Sequence, residues 1–252
     1  MSNFGLGLGL DTPWGSSRGF QSSVGPALRQ FLERHGEDFE TFFFSFQRRN
    51  YGALRSSDYI PAFRDAYEIA SKFASTVNLH HTMLNLGAAL PYDRSQILRV
   101  TNEISEAIPL GWINEDVGIW FLEGKSVPYP LPPILTRESL NLCTETVRHV
   151  MSELQTPLSI EFPGITDGAS FQVGNLDLYE FFGELADRTK SLVTLDTGHL
   201  LGWEWLQGRF EGEMYRHLEK FPFDQVVEIH MAGSETKNGN FIDRHHGILL
   251  DR

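Results

Sequence analysis

Cysteine is nearly missing from this chain: Cys143 is the only one among 252 residues. That excludes an intrachain disulfide framework and a metal cage built from thiolates. Positive charge is also short. The chain has 21 Lys and Arg against 33 Asp and Glu, a formal net charge of −12. Its densest basic pair is Arg48-Arg49. Such a surface repels phosphate backbones, so nucleic acid is not expected as a partner. No stretch approaches the roughly 18 apolar residues of a membrane span. The N-terminus, MSNFGLGLGLDTPWG, lacks a basic start followed by a long apolar run. The expectation is a soluble, cytoplasmic protein with no membrane partner.

What is present is alternation. Strand-like runs cover Phe4–Asp11, Glu40–Phe46, Thr76–His81, Gly111–Ile119, Leu158–Phe162, Ser191–Asp196 and Gln225–Met231. Amphipathic stretches lie between them: Val24–His35, Tyr59–Phe73, Arg94–Ala107, Arg137–Leu154, Leu176–Thr189 and Glu204–Lys220. Asp93 and Gln96 have the spacing of a capping box before the third. Strict alternation predicts an α/β fold with a parallel sheet and right-handed crossovers. The length is close to the roughly 250 residues of one (β/α) barrel. We therefore expect a single TIM-type barrel domain over residues 1–252, with an open doubly wound sheet as the alternative. Only five residues follow Gly247, so the last βα unit is expected to be lacking or replaced. The loop Glu123–Pro133, with four prolines, reads as a lid or a stiff turn.

Parallel barrels carry their chemistry at the C-terminal ends of the strands. The polar residues at those ends are His80 and His81 on the third strand and Glu115 and Asp116 on the fourth. Glu161 ends the fifth, Asp196 with His199 the sixth, and His230 the seventh, followed by Asp243, His245 and His246. Singly each has a bland reading: an end-of-strand His bonding a carbonyl, an Asp capping the next helix, or Asp243 and His245 in a solvated loop. Glu161 is harder to set aside, because an unpaired buried carboxylate is costly. Together they form a ring of carboxylates and imidazoles that needs positive charge to hold it. Oxygen and nitrogen donors without thiolate suit iron, manganese or zinc, and eight ligands (His80, Asp116, Glu161, Asp196, His199, His230, Asp243 and His245) exceed what one ion takes. His81, Glu115 and His246 are expected just behind them. Other features read as structural. The glycines of Gly5-Leu6-Gly7-Leu8-Gly9 fit a close approach of strands, Trp203 and Trp205 fit aromatic packing, and Cys143 fits the core. His35, His149 and His217 fall in helical patterns and are expected at the surface.

These residues resemble the multinuclear non-haem iron-dependent oxidative enzymes (MNIOs), which include the oxidase of methanobactin biosynthesis. That family's V-S-L-H-G is similar to Val77-Asn78-Leu79-His80-His81, and its L-L-L-E-N to Leu158-Ser159-Ile160-Glu161-Phe162. Its L-L-L-D-x-N-N is similar to Val193-Thr194-Leu195-Asp196-Thr197-Gly198-His199. Its E-I-H-L-A-G-H is similar to Glu228-Ile229-His230-Met231-Ala232-Gly233-Ser234, and its I-D-x-H-G to Ile242 through Gly247. The resemblance implies a barrel related to xylose isomerase, with two or three irons on the strand-end ligands. It also implies dioxygen-dependent modification of a cysteine-containing precursor peptide, and a small peptide-recognition partner protein.

Five departures stand out: Asp116 where the family has His, Phe162 for Asn, His199 for the last Asn, Ser234 for His, and no last strand with its Glu. Asp196-Thr197-Gly198-His199 and Asp243-Arg244-His245-His246 also resemble the metal motifs of endonuclease IV-type enzymes, which use zinc at abasic DNA sites. A zinc or manganese hydrolase, a sugar isomerase of the same superfamily and a degenerate barrel serving as a binding scaffold remain alternatives.

Overall fold

A computed structural model describes residues 5–10, 24–47, 54–165, 171–209, 211–231 and 233–246, with only the backbone at 10, 24–28, 128–129, 211 and 244–246. In chain order they form β1 (Gly7–Leu10), α1 (Val24–His35), β2 (Thr41–Phe46), α2 (Ile60–Ala70), β3 (Thr76–His81), α3 (Ser95–Ala107) and β4 (Ile113–Asp116). A hairpin of β5 (Ile119–Leu122) and β6 (Lys125–Leu131) follows, then α4 (Arg137–Glu153), β7 (Leu158–Glu161), α5 (Leu178–Thr189), β8 (Leu192–Asp196) and α6 (Thr197–Leu206). The described chain ends with β9 (Val226–His230) and a second hairpin, β10 (Gly233–Lys237) with β11 (Asn240–His246). Seven strands run in the order β1-β2-β3-β4-β7-β8-β9, and their paired registers are parallel. The predicted α/β alternation is thus the observed one, and no eighth strand of this sheet is among the described residues.

The chain divides into two compact units. The first holds residues 1–84, 93–115 and 150–158. Alternation sends Phe42, Phe44 and Phe46 of β2 and Val77, Leu79 and His81 of β3 to one face, where all are buried. Phe63 of α2 packs on Phe44 and Phe46, with ring centroids 6.2 and 6.0 Å apart. Each such phenylalanine contributes about 1.5–3 kcal/mol by leaving water. Gly9 sits against the Phe43 ring and Gly5 against Glu40 so closely that a Cβ would clash, a close approach at these two positions and not at Gly7. The expected capping box before α3 does not form. Asp93 Oδ1 accepts from Ser95 N (3.0 Å), and Gln96 turns away to donate to Leu54 O (2.9 Å).

The same unit buries a polar cluster. Glu115 and His81 are both fully buried. Glu115 Oε2 accepts from the main-chain amides of Met83 (3.1 Å) and Leu84 (2.6 Å), and lies 3.0 Å from His81 Nδ1. His81 Nε2 pairs with Thr101 Oγ1 of α3 at 3.0 Å, and Arg94 Nε donates to Leu84 O at 2.5 Å. His81 therefore faces the helix layer, and His80, one residue before it, takes the other face of β3.

The second unit holds residues 85–92, 116–149 and 159–252. Two readings of the sequence are corrected here. The loop Glu123–Pro133 is largely strand: β5 and β6 pair antiparallel around Glu123 (φ 49°) and Gly124 (φ 76°), a left-handed pair that suits a two-residue hairpin. Its prolines are tolerated because a two-stranded ribbon leaves one edge of each strand unpaired. Asn85 locks the hairpin, accepting from Trp120 N (2.7 Å) and Phe121 N (3.1 Å) and donating to Phe121 O (3.1 Å). The sixth helix spans Thr197–Leu206, not Glu204–Lys220. It is buried on several sides, so its sequence lacks the polar stripe of a surface helix. Beyond it, Glu204 takes Arg209 Nε and Nη2 at 2.9 Å each and Tyr215 N at 3.0 Å, tying down a run of 3₁₀ turns. His217 accordingly sits in a turn, half-buried, whereas His35 and His149 are exposed as expected. Trp203 and Cys143 are buried. No helix among the described residues is long and apolar enough to cross a membrane.

Glu115→Ala would strip the buried Leu84 amide of its acceptor and leave Met83 N with only His81 Nδ1, at about 1–3 kcal/mol for the lost partner. Urea unfolding should show a lowered midpoint at unchanged slope, with Glu115→Gln, which keeps an acceptor, much milder. Equal midpoints for wild type and Glu115→Ala would contradict this account of the cluster.

Candidate metal centre

The register of the second unit decides what meets at the strand ends. On β7, β8 and β9 the residues Ser159, Glu161, Thr194, Asp196, Glu228 and His230 share one face by alternation, while Ile160, Phe162, Val193 and Leu195 are buried on the other. Asp196 stands opposite His230 in the β8–β9 register, and Glu161 opposite Thr194 in β7–β8. Below them Ser159 and Thr194 join their hydroxyls at 2.8 Å. Asp116, at the end of β4, is level with Glu161, because Val117 N donates to Glu161 O at 2.9 Å.

No loop separates β8 from α6. Asp196 ends the strand and also caps the helix, its Oδ1 accepting from His199 N at 3.0 Å. The Asp-x-x-His spacing is therefore a cap, as its bland reading held, and the cap aims the imidazole into the carboxylates. His199 Nδ1 lies 3.5 Å from Asp116 Oδ1 and 3.6 Å from Glu161 Oε1, and Nε2 lies 3.5 Å from Asp243 Oδ2. Nδ1 also lies 2.7 Å from Phe162 O. A carbonyl can only accept, so Nδ1 carries a proton and Nε2 is the nitrogen left to bind a cation. Asp116 and His199, two of the departures from the resembled family, thus meet. Phe162, a third, turns its ring into the core against Tyr179 and Phe182 and gives the site its carbonyl. Gly198 leaves room between carboxylates: a Cβ there would stand 3.1 Å from Asp196 Oδ1 and 3.4 Å from Asp243.

Asp243 arrives on β11 of the second hairpin, whose turn is Asn238 (φ 53°) and Gly239 (φ 79°). Asn-Gly is the strongest short-range hairpin signal in a sequence, and it went unused in the reading above. His230 completes the group. Its Nδ1 lies 3.0 Å from Glu161 Oε1 and 3.7 Å from Asp196 Oδ2, and its Nε2 lies 3.0 Å from Glu228 Oε1. Glu228 was likewise passed over, although its i, i+2 spacing to His230 on a strand was the available signal.

Two donor triads result within this unit, Asp116–Glu161–His199 and Asp196–His199–Asp243, each with ligand atoms within 4.8 Å of one another. Among the expected ligands the structure brings together Asp116, Glu161, Asp196, His199, His230 and Asp243. His80 belongs to the first unit, its ring 5.5 Å from that of Phe43. His245 and His246 lie on β11, and their side chains fall outside the described residues. His81 and Glu115 are occupied with each other and with the chain after β3.

The electrostatics follow from the crowding. Burial works against the charged form of His199, but Asp196, Asp116, Glu161 and Asp243 outweigh it and hold its pKa up to about 10. Burial opposes the charge on His230 too, and Glu161 and Glu228 raise it well above the ordinary value. Without metal, the raised His199 contributes stability that is complete below pH 6.5 and is lost as the pH climbs to about 10. Were these imidazoles to ligate a metal they would have to be neutral on the binding nitrogen, so loading at neutral pH would release protons. Calorimetric titration of metal into metal-free protein should give heats that vary with the ionisation enthalpy of the buffer. Heats independent of the buffer would contradict the assignment of His199 and His230.

A UPF0276 protein of Caulobacter vibrioides is 25% identical over 248 residues, covering 98% of this chain and 79% of its own. A second, from Vibrio parahaemolyticus, is 27% identical over 238 residues, covering 92% and 71%. Among solved structures, a D-psicose 3-epimerase with D-fructose superposes at a TM-score of 0.54 and 12% identity, covering 90% of this chain and 73% of that one. This likeness shows a fold similar to the xylose isomerase-like TIM barrels. The family model of the RiPP precursor modification enzymes MbnB/TglH/ChrH matches residues 25–251, and the chain belongs to that family.

Proposed function

We propose that the chain is an iron-dependent oxidative enzyme that modifies a precursor peptide at cysteine, with dioxygen as the oxidant. The observation that carries this reading is the cluster of donors in the triads Asp116–Glu161–His199 and Asp196–His199–Asp243, in which His199 keeps Nδ1–H on the Phe162 carbonyl and has Nε2 left to ligate. Membership of a family that modifies ribosomally made precursor peptides supports the substrate class. The donor set supports the metal: oxygen and nitrogen ligands without thiolate suit iron, manganese or zinc. Asp196 Oδ2 supports it independently, being buried with no hydrogen-bond partner, a costly state that a cation relieves.

Asp116, Glu161, Asp196, His199, His230 and Asp243 would hold two or three ions. Iron bound there would supply electrons for dioxygen reduction and a Lewis-acid seat for a substrate thiolate. The chain itself does the rest. The Asp196 cap and the Phe162 carbonyl orient His199. Four carboxylates repel an anionic thiolate until metal neutralises them, so metal loading precedes capture of the peptide. Cys143, buried in α4, is the protein's only thiol, which leaves the peptide to provide the sulfur. A small recognition protein that presents the peptide fits the same reading.

Protein purified without oxygen and subjected to elemental analysis should carry two or more irons per chain, lost in His230→Ala. It should consume dioxygen only with a cysteine-containing peptide. Zinc or manganese alone, with oxygen-independent turnover, would replace this reading with hydrolysis or isomerisation. A chain that takes up no metal would leave a binding scaffold.

A further inference from the structure

Resting on the metal reading above, we propose that Glu228 is a positioning residue for the centre: it holds the Nε2 proton of His230 and thereby turns Nδ1 towards the metal. His230 stands between carboxylates. Nε2 lies 3.0 Å from Glu228 Oε1, while Nδ1 lies 3.0 Å from Glu161 Oε1 and 3.7 Å from Asp196 Oδ2. A carboxylate can only accept, and a neutral imidazole has one N–H to give. Glu161 and Asp196 share their surroundings with the other donors, so their side is where a cation belongs. A cation there takes the place of the Nδ1 proton. The remaining proton then sits on Nε2, and Glu228 is its acceptor.

Local structure suits this task. Glu228 and His230 are two apart on β9 and so project from the same face. Glu228 is only 9% exposed, so water competes weakly for the bond. The main chain of His230 is fixed separately, since Thr197 Oγ1 donates to its carbonyl at 3.1 Å. With backbone and Nε2 both held, the ring loses its freedom to flip, and the carboxylate makes Nδ1 a stronger donor. Ligating histidines commonly give their second N–H to such an acceptor, and removing it costs about 10–100-fold in metal affinity. His199 uses the opposite arrangement, with Nδ1–H on the Phe162 carbonyl and Nε2 facing Asp243. The two imidazoles thus present different nitrogens to the centre.

The test uses the full chain labelled with ¹⁵N-histidine, with zinc as a diamagnetic probe. His230 signals are assigned by their disappearance in His230→Gln. Two-bond ¹H–¹⁵N spectra should show a metal-bound Nδ1 and a protonated Nε2. Glu228→Gln keeps the shape but loses the charge, and should weaken zinc binding by about 10–100-fold while the metal-free protein unfolds as before. Glu228→Ala should also lose the slowly exchanging Nε2 proton; if it fails to fold, Glu228→Gln decides alone. A zinc-bound Nε2 in wild type, or Glu228→Gln that binds zinc as wild type does, would overturn the role of Glu228 and leave the metal site standing. Wild type that takes up neither zinc nor iron would overturn the metal reading, and this inference with it.

Discussion

Four carboxylates, Asp116, Glu161, Asp196 and Asp243, are brought to one place in the second unit with two imidazoles among them. Two like charges about 4 Å apart repel by roughly 4 kcal/mol at the effective dielectric of a protein. Several such pairs outweigh any surface ion pair, which is worth at most about 1 kcal/mol. Protonated His199 and His230 relieve part of the strain, as their raised pKa values record. Multivalent cations would relieve it more fully, and the rest of the unit keeps these side chains in place.

That organisation is a set of short, rigid connections. Parallel register sets Asp196 beside His230. A helix begun without a loop carries His199 in its first turn. An Asn-Gly hairpin returns the chain with Asp243. Hydrogen bonds do the fastening: Phe162 O holds the His199 ring, Thr197 Oγ1 the His230 carbonyl and Glu228 the His230 ring. The first unit solves a smaller version of the same problem, satisfying buried Glu115 with two amides and His81.

Much of this was legible in the sequence, for reasons that differ from element to element. Strands such as Thr76–His81 announce themselves by β-branched and apolar residues in a run, and their ends follow from where the polar residues begin. Asp116, Glu161, Asp196 and His230 were placed at strand ends by that rule, and His199 follows Asp196 by three residues. The sixth helix was misplaced because amphipathic period fails for a helix buried on several sides. The proline-rich β6 was missed because proline argues against central strands and says little about a two-stranded ribbon. The carrier of Asp243 was missed although Asn238-Gly239 marked it. Glu228 was missed although its i, i+2 spacing to His230 on a strand put both on one face.

The family and the donor geometry agree on a cluster of residues that could hold metal ions. The most direct test is anomalous scattering from crystals of oxygen-free protein, recorded on both sides of the iron absorption edge. The account predicts two or more edge-dependent peaks in contact with Asp116, Glu161, Asp196, His199, His230 and Asp243. Density free of such peaks at these residues, or a single iron elsewhere on the chain, would contradict it.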